Sequence, residues 1–217
     1  MNIEQHKDNM VKQQLRTYEV LDDQLIELMM QVPREDFVPA AMRNLAYADI
    51  NIPLDEGQVM MNPKIEARML QALAVQADEE VLEVGTGSAY VTALLARQAK
   101  KVYSVEIMPR LLKQAGEKLR AHNIKNVELE EGDAAQGWNN HHMYEAIAIT
   151  GSLPMLPRAF LDAMTIGGRL FAIIGDAPTM EATLITRQGN NDWSREVLFE
   201  TELPVLKNVQ QPERFIL

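Results

Sequence analysis

Glu83, Gly85, Gly87, Glu106 and Asp133 are the residues whose types and spacing could do chemistry in this chain. Val81-Leu-Glu-Val-Gly-Thr-Gly-Ser-Ala-Tyr90 reads as a buried strand, broken by two closely spaced glycines and followed by residues that can start a helix. In such a strand–turn–helix, glycines take backbone angles that side chains forbid and let a ligand approach the main chain. The amides at the helix start favour a negative or polar group. Glu83 stands two residues before the first glycine and Glu106 twenty-one after it. Lys101-Val-Tyr-Ser-Val-Glu106 reads as a second strand that ends in a carboxylate about where ribose hydroxyls would lie. Such a group can accept two hydrogen bonds from a diol. Val127-Glu-Leu-Glu130 runs into Glu131-Gly-Asp-Ala134, which puts Asp133 at a third strand end, where it could accept from an exocyclic adenine amine.

Three strand ends would thus line one crevice at the carboxyl edge of an α/β sheet, where such sheets bind ligands. A dinucleotide fits poorly, because the third glycine of its fingerprint is replaced by Tyr90. The acidic groups suit a nucleoside that carries a sulfonium, an ammonium and no phosphate. The cofactor they indicate is S-adenosylmethionine.

The elements that position these residues follow from periodicity. Val11 and Leu15, then Leu21, Leu25, Leu28 and Met29, recur at helical spacing, with Asp22 as cap of the second helix. Val32-Pro-Arg-Glu-Asp-Phe-Val-Pro39 ends that helix, since each proline removes an amide donor. After a short helix over Ala40 to Leu45, the span from Tyr47 to Asn62 reads as a long ordered loop of the kind used as lid or binding segment. Helix and strand then alternate. A helix from Pro63 to Val75 precedes the glycine-bearing strand, a helix through Arg97, a strand at Val102, a helix over Arg110 to His122 and a strand at Val127. Ala146–Thr150 and Gly168–Ile174 read as strands around a helix near Leu156 to Met164. Glu181–Arg187 and Glu196–Leu203, joined by Gln188-Gly-Asn-Asn-Asp192, suggest a closing antiparallel hairpin. The expected fold is α/β, with a doubly wound, mostly parallel sheet, a helical N-terminal extension and an antiparallel hairpin at the C-terminal end. One domain is expected over 1–217, with 1–62 as extension and substrate loop and 63–217 as the cofactor-binding core.

Composition bounds the partners. At 217 residues, 47% hydrophobic and 24% charged, the chain can bury a large core and has no signature of disorder. A formal charge of −10 works against nucleic acid, whose binding relies on Lys and Arg. The polar, mixed-charge amino terminus is unlike a secretory leader and no apolar run reaches membrane-spanning length, so a cytoplasmic protein is expected. Without cysteine there are no disulfides, thiolate zinc sites or cysteine nucleophile. Among His6, His122, His141 and His142 only the last two adjoin, in Trp138-Asn-Asn-His-His142, which reads as a solvated loop. Neighbouring residues rarely point both rings at one ion, and no metal is expected.

Met10-Val-Lys-Gln-Gln-Leu-Arg16, Val32-Pro-Arg-Glu-Asp-Phe-Val-Pro39, Gly57-Gln58, Leu82-Glu-Val-Gly-Thr-Gly-Ser88, Ser104-Val-Glu106, Gly132-Asp133 and Gly167-Gly-Arg-Leu170 together carry a resemblance. From about Met10 to about Val205 the chain resembles the protein-L-isoaspartate O-methyltransferase family, among the Rossmann-like S-adenosylmethionine-dependent methyltransferases. The Val-Pro-Arg and Gly-Gln segments narrow it to that family. The resemblance implies methyl transfer to the free carboxylate of isoaspartyl residues, the first step of protein repair. It implies Glu83, Gly85, Gly87 and Ser88 as the methionine-side loop, Glu106 as ribose acceptor and Asp133 with Ala134 at adenine. Thr86, Ile107 and Thr150 complete the cofactor-binding set.

Family members typically read Gly-Gln-Thr-Ile-Ser-Gln-Pro in the substrate loop; this chain reads Gly57-Gln-Val-Met-Met-Asn-Pro63. Val59 and Met61 replace the threonine and the serine, and a thioether cannot donate a hydrogen bond. Val59, Met60, Met61 and Asn62 are the substrate-loop candidates, with Asn62 the nearest polar group. Glu202-Leu-Pro-Val-Leu-Lys207 matches the family's final substrate-side strand only loosely. Besides an isoaspartyl protein, the acceptor could then be a less polar small molecule, or the chain could bind the cofactor without catalysis. A carboxylate is ionised at neutral pH, so no general base is required and none is assigned.

Overall fold

The computed structural model describes residues 3–138 and 141–210; Asn139 and Asn140, inside the expected His-His loop, lie outside the described residues. The chain enters through α1 (Ile3–Met10) and α2 (Asp23–Gln31). Asp22 caps α2, its carboxylate accepting from the amides of Gln24 and Leu25. Leu21 lies ahead of that cap and is 69% exposed, so it is not part of the apolar face that its spacing suggested.

The expected loop from Tyr47 to Asn62 contains structure of its own. Two short strands, β1 (Ile52–Pro53) and β2 (Val59–Met60), pair antiparallel with Ile52 opposite Met60. Two-residue strands are too short to leave a period in the sequence. α3 (Pro63–Leu73) follows, with proline in its first turn.

Among the described residues, seven strands form the central sheet: β3 (Glu80–Val84), β4 (Lys101–Glu106), β5 (Val127–Glu131), β6 (Tyr144–Leu153), β7 (Met164–Asp176), β8 (Thr179–Gly189) and β9 (Asp192–Thr201). Their order is β5-β4-β3-β6-β7-β8-β9. The first five are parallel, and β8 and β9 complete the sheet antiparallel. The chain winds outward from β3 through β4 to β5, then returns to place β6 on the other side of β3. That reversal opens a crevice at the carboxyl ends of the strands. The central strands are apolar in nearly every position because both faces are covered. Alternation splits them: Val81, Val102, Ala146, Ala148 and Phe171 join the core under α3 and α4 (Tyr90–Gln98). Leu82, Val84, Val105, Ile147 and Ile149 join the second core, with Phe160 of α6 (Arg158–Asp162). α5 (Pro109–Ala121) packs Ala115 and Leu119 on the first face.

Two boundaries differ from expectation. The helix near Leu156 to Met164 is only five residues long, because Met164 pairs with Tyr144 and opens β7. The last strand ends at Thr201; Leu203 leaves it, and Val205 bridges in parallel to Ser152 of β6. No helix among the described residues is long and apolar enough to cross a membrane.

Candidate active site

The glycine loop leaves β3 and enters α4 in the crevice. Gly85 and Gly87 have φ of +96° and +50°, the left-handed region that favours glycine. A Cβ at Gly85 would lie 2.5 Å from the Thr150 hydroxyl of the neighbouring strand. That hydroxyl is 2.6 Å from the Gly85 carbonyl and 2.9 Å from that of Val84, so β6 braces the turn.

Glu106 closes the turn from the other side. Its two oxygens accept from the amides of Gly87, at 2.8 Å, and Met108, at 3.0 Å. A carboxylate has about four acceptor sites, so both oxygens can still receive a hydroxyl. Asp133 accepts from the Ala135 amide at 3.0 Å and from the Asn208 side chain at 2.8 Å. Gly85, Gly87, Glu106, Ile107, Asp133, Ala134 and Thr150 thus line one cleft of about 670 Å³. Gln58 and Val59 form part of its wall, and Leu203 to Lys207 form another. This last stretch is held by backbone bonds to Ser152 at 3.0 Å, and Leu206 packs so closely on Gly151 that a Cβ there would be 2.4 Å from its side chain.

A smaller lobe of about 270 Å³ shares Val59, Gly85, Gly87 and Thr150 with the cleft and adds Glu83, Thr86, Ser88, Met60 and Met61. Glu83 is fully buried. One of its oxygens accepts from the hydroxyls of Thr92 and Ser104, both at 2.5 Å; the other, Oε1, has no partner among the described residues. Burial pushes this carboxyl up to about 8, and the charge of Glu106 adds to that against the two hydroxyls. Thr86 sits under the loop with its hydroxyl 2.7 Å from Ser104, and the Ser88 hydroxyl accepts from the Tyr90 amide at 3.2 Å.

Met60 and Met61 are 3% and 4% exposed and belong to the apolar core while also lining the lobe. Asn62 does neither. Its side-chain oxygen caps α3 by accepting from the Ile65 amide at 3.1 Å.

Sequence reasoning missed the residue that holds this hairpin in place. Arg34 is fully buried; it donates to the Met61 carbonyl at 2.5 Å and the Ala46 carbonyl at 2.7 Å, pairs with Glu66, and stacks 4.8 Å over the Tyr90 ring. Glu66 lines the lobe, and burial pushes it up to about 7 against the opposing guanidinium. The available signal was a charged residue on the apolar face of α3, beside Ile65, Met69 and Leu70. Lys118 of α5 was also missed: it donates to the Phe37 carbonyl at 2.7 Å and the Ser88 carbonyl at 3.2 Å, tying the glycine loop to the N-terminal extension.

Residues 5–208 match the protein-L-isoaspartate(D-aspartate) O-methyltransferase family. The chain belongs to this family. It is 38% identical over 198 residues to protein-L-isoaspartate O-methyltransferase 2 of Pelobacter propionicus, covering 91% of this chain and 88% of that one. It is 40% identical over 173 residues to protein-L-isoaspartate O-methyltransferase of a Synechococcus strain, covering 80% and 71%. A Plasmodium falciparum structure described as a protein of this type, in complex with S-adenosyl-L-homocysteine, superposes with a TM-score of 0.80 over 93% of this chain and 98% of that chain. At 21% identity that likeness establishes the fold. Family membership makes the chain an S-adenosylmethionine-dependent methyltransferase.

Proposed function

We propose that the chain transfers a methyl group from S-adenosylmethionine to the carboxylate of an isoaspartyl residue in a protein, a repair reaction in the cytoplasm. Residues 1–62 act as extension and substrate loop, and 63–217 as the donor-binding core. One observation carries this reading: Glu83 Oε1 is buried, and unpartnered among the described residues, in the lobe where the glycine loop meets the acceptor hairpin. A buried, unsatisfied carboxyl oxygen calls for a donor, and a cationic one best relieves its desolvation. When bound, S-adenosylmethionine supplies a methyl group on a positively charged sulfur. Gly85 and Gly87 let the ligand lie against the main chain, with Thr86 and Ser88 completing the loop. Glu106 and Ile107 serve the ribose end, and Asp133 and Ala134 the adenine end. Asn208, already on Asp133, holds that carboxylate in place.

Methyl transfer needs alignment, exclusion of water and an ionised nucleophile. An acceptor carboxylate meets the last requirement at neutral pH without a base. Val59, Met60 and Met61 exclude water, while Arg34 holds the Met61 carbonyl. Incubation with labelled S-adenosylmethionine and an isoaspartyl peptide should yield base-labile methyl ester. Donor binding without any ester at high enzyme concentration would defeat the assignment.

A second reading rests on the same wall. Met60 and Met61 offer thioethers and no hydroxyl beside the donor loop, which favours a less polar small-molecule acceptor. Methylation of an extract metabolite with isoaspartyl peptide inert would establish it. Donor binding with transfer to no fraction would leave a binding protein without catalysis.

A further inference from the structure

We propose that Glu128, Glu130 and His141 form a binding site for a divalent transition-metal ion, zinc being the ion whose chemistry fits, beside the edge strand β5. Glu128 and Glu130 are two residues apart on β5, so both project from one face. His141 reaches them from the segment ahead of β6, with Nε2 2.7 Å from Glu130. One ligand atom from each residue lies within 4.8 Å of the other two. In a tetrahedral zinc shell with bonds of about 2.0–2.1 Å, ligand atoms stand ~3.3 Å apart. The Glu130–His141 pair therefore opens slightly as Glu128 closes in. An imidazole with two carboxylates suits zinc and its neighbours, whereas magnesium and calcium take oxygen donors.

A second unsatisfied group lies close by. Tyr144 is fully buried and its hydroxyl has no hydrogen-bond partner among the described residues. Buried hydroxyls rarely go unsatisfied. Its ring lies 5.8 Å from Tyr103 and 5.6 Å from His142. Burial holds its phenol above the usual range, and the charge of Glu130 leads the remaining causes, followed by Tyr103, Glu128 and Glu80. The Tyr103 ring stands between Tyr144 and His141, 4.2 Å from that of His141. A metal ion, or a water on that ion, would supply the missing partner.

The surrounding groups define the competition. Lys101 is 2.7 Å from Glu128, and its side chain is 37% exposed, so it can swing into solvent. Trp138 donates to the second Glu130 oxygen at 3.2 Å, which orients that carboxylate. His142 turns away to Glu80 at 2.8 Å. The two adjacent imidazoles thus meet different carboxylates. The further ligands come from β5, which adjacency along the chain does not reveal. Trp138 also covers Gly132, where a Cβ would be 2.3 Å from its ring, so an ion here would brace the loop that carries Asp133.

The test is zinc titration by calorimetry on chelator-treated, tag-free full chain, with cobalt absorption as a second readout. The expected result is one ion per chain, lost in His141→Ala and in the shape-preserving Glu130→Gln, retained in His142→Ala, and about 10-fold weaker in Tyr144→Phe. No uptake by the wild-type chain, or uptake that survives both His141→Ala and Glu130→Gln, would overturn the site.

Discussion

The ionisation of Glu83 should make donor binding strongly dependent on pH. Its carboxyl is raised from the ordinary 4.5 to about 8, chiefly by burial. In the free protein the ionised share is therefore about 1% at pH 6, about 9% at pH 7 and half at pH 8. A cationic ligand that needs the carboxylate should bind about 50-fold more tightly at pH 8 than at pH 6. At pH 7 it should expel close to one proton per molecule bound. The assay is calorimetry with S-adenosylhomocysteine, whose ammonium remains charged, in buffers of different ionisation enthalpy. Glu83→Gln copies the neutral acid and should bind weakly with a flat profile. The stability of the free protein moves the opposite way. Because the folded value is raised, the unfolded chain ionises first, and stability is fully present below pH 4.5 and lost as pH rises to about 8. The loss is about 1.4 kcal/mol per pH unit, on the order of 5 kcal/mol in all. Glu83→Gln should therefore unfold at higher urea than the wild type at pH 8. Proton uptake on binding, or a wild-type profile as flat as the variant's, would refute the reasoning.

Other expectations follow from the same geometry. Arg34→Met leaves Glu66 buried without its partner and should cost about 3–5 kcal/mol in urea unfolding; a loss below 1 kcal/mol would show that the hairpin does not depend on the pair. Gly85→Ala sets a Cβ 2.5 Å from Thr150 at a φ of +96°, and should abolish S-adenosylhomocysteine binding in calorimetry while far-UV dichroism stays unchanged. Gly151→Ala drives against Leu206 and should raise the ligand's dissociation rate by displacing Leu203 to Lys207 from the cleft; stopped-flow release at the wild-type rate would exclude that segment as a wall. Met61→Ser restores an orienting hydroxyl and should raise isoaspartyl-peptide turnover by about 10²-fold; no gain, with donor binding intact, would direct the search to another acceptor.

Local patterns in the chain carry much of this. The two glycines after an apolar run, and carboxylates at the ends of two further runs, report a strand–turn–helix and a polar crevice because backbone conformation and strand period are short-range properties. Asp22 as a helix cap and Pro63 in a first turn are legible for the same reason. The hairpin of Ile52–Pro53 and Val59–Met60 was not, since two paired residues leave no repeat and the Met61 carbonyl just beyond it is held by Arg34, twenty-seven positions away.

From residue order alone came the winding of the sheet, the glycine loop and the acidic crevice, all consequences of steric freedom and alternation within a few neighbours. Tertiary structure decided the rest. It made Asn62 the cap of a helix, put Glu66 and Glu83 on the wall of one lobe, folded Leu203 to Lys207 along the cleft, and left one Glu83 oxygen without a partner among the described residues. Desolvation and side-chain partnership depend on what lies nearby in space, and that is set only when distant segments pack.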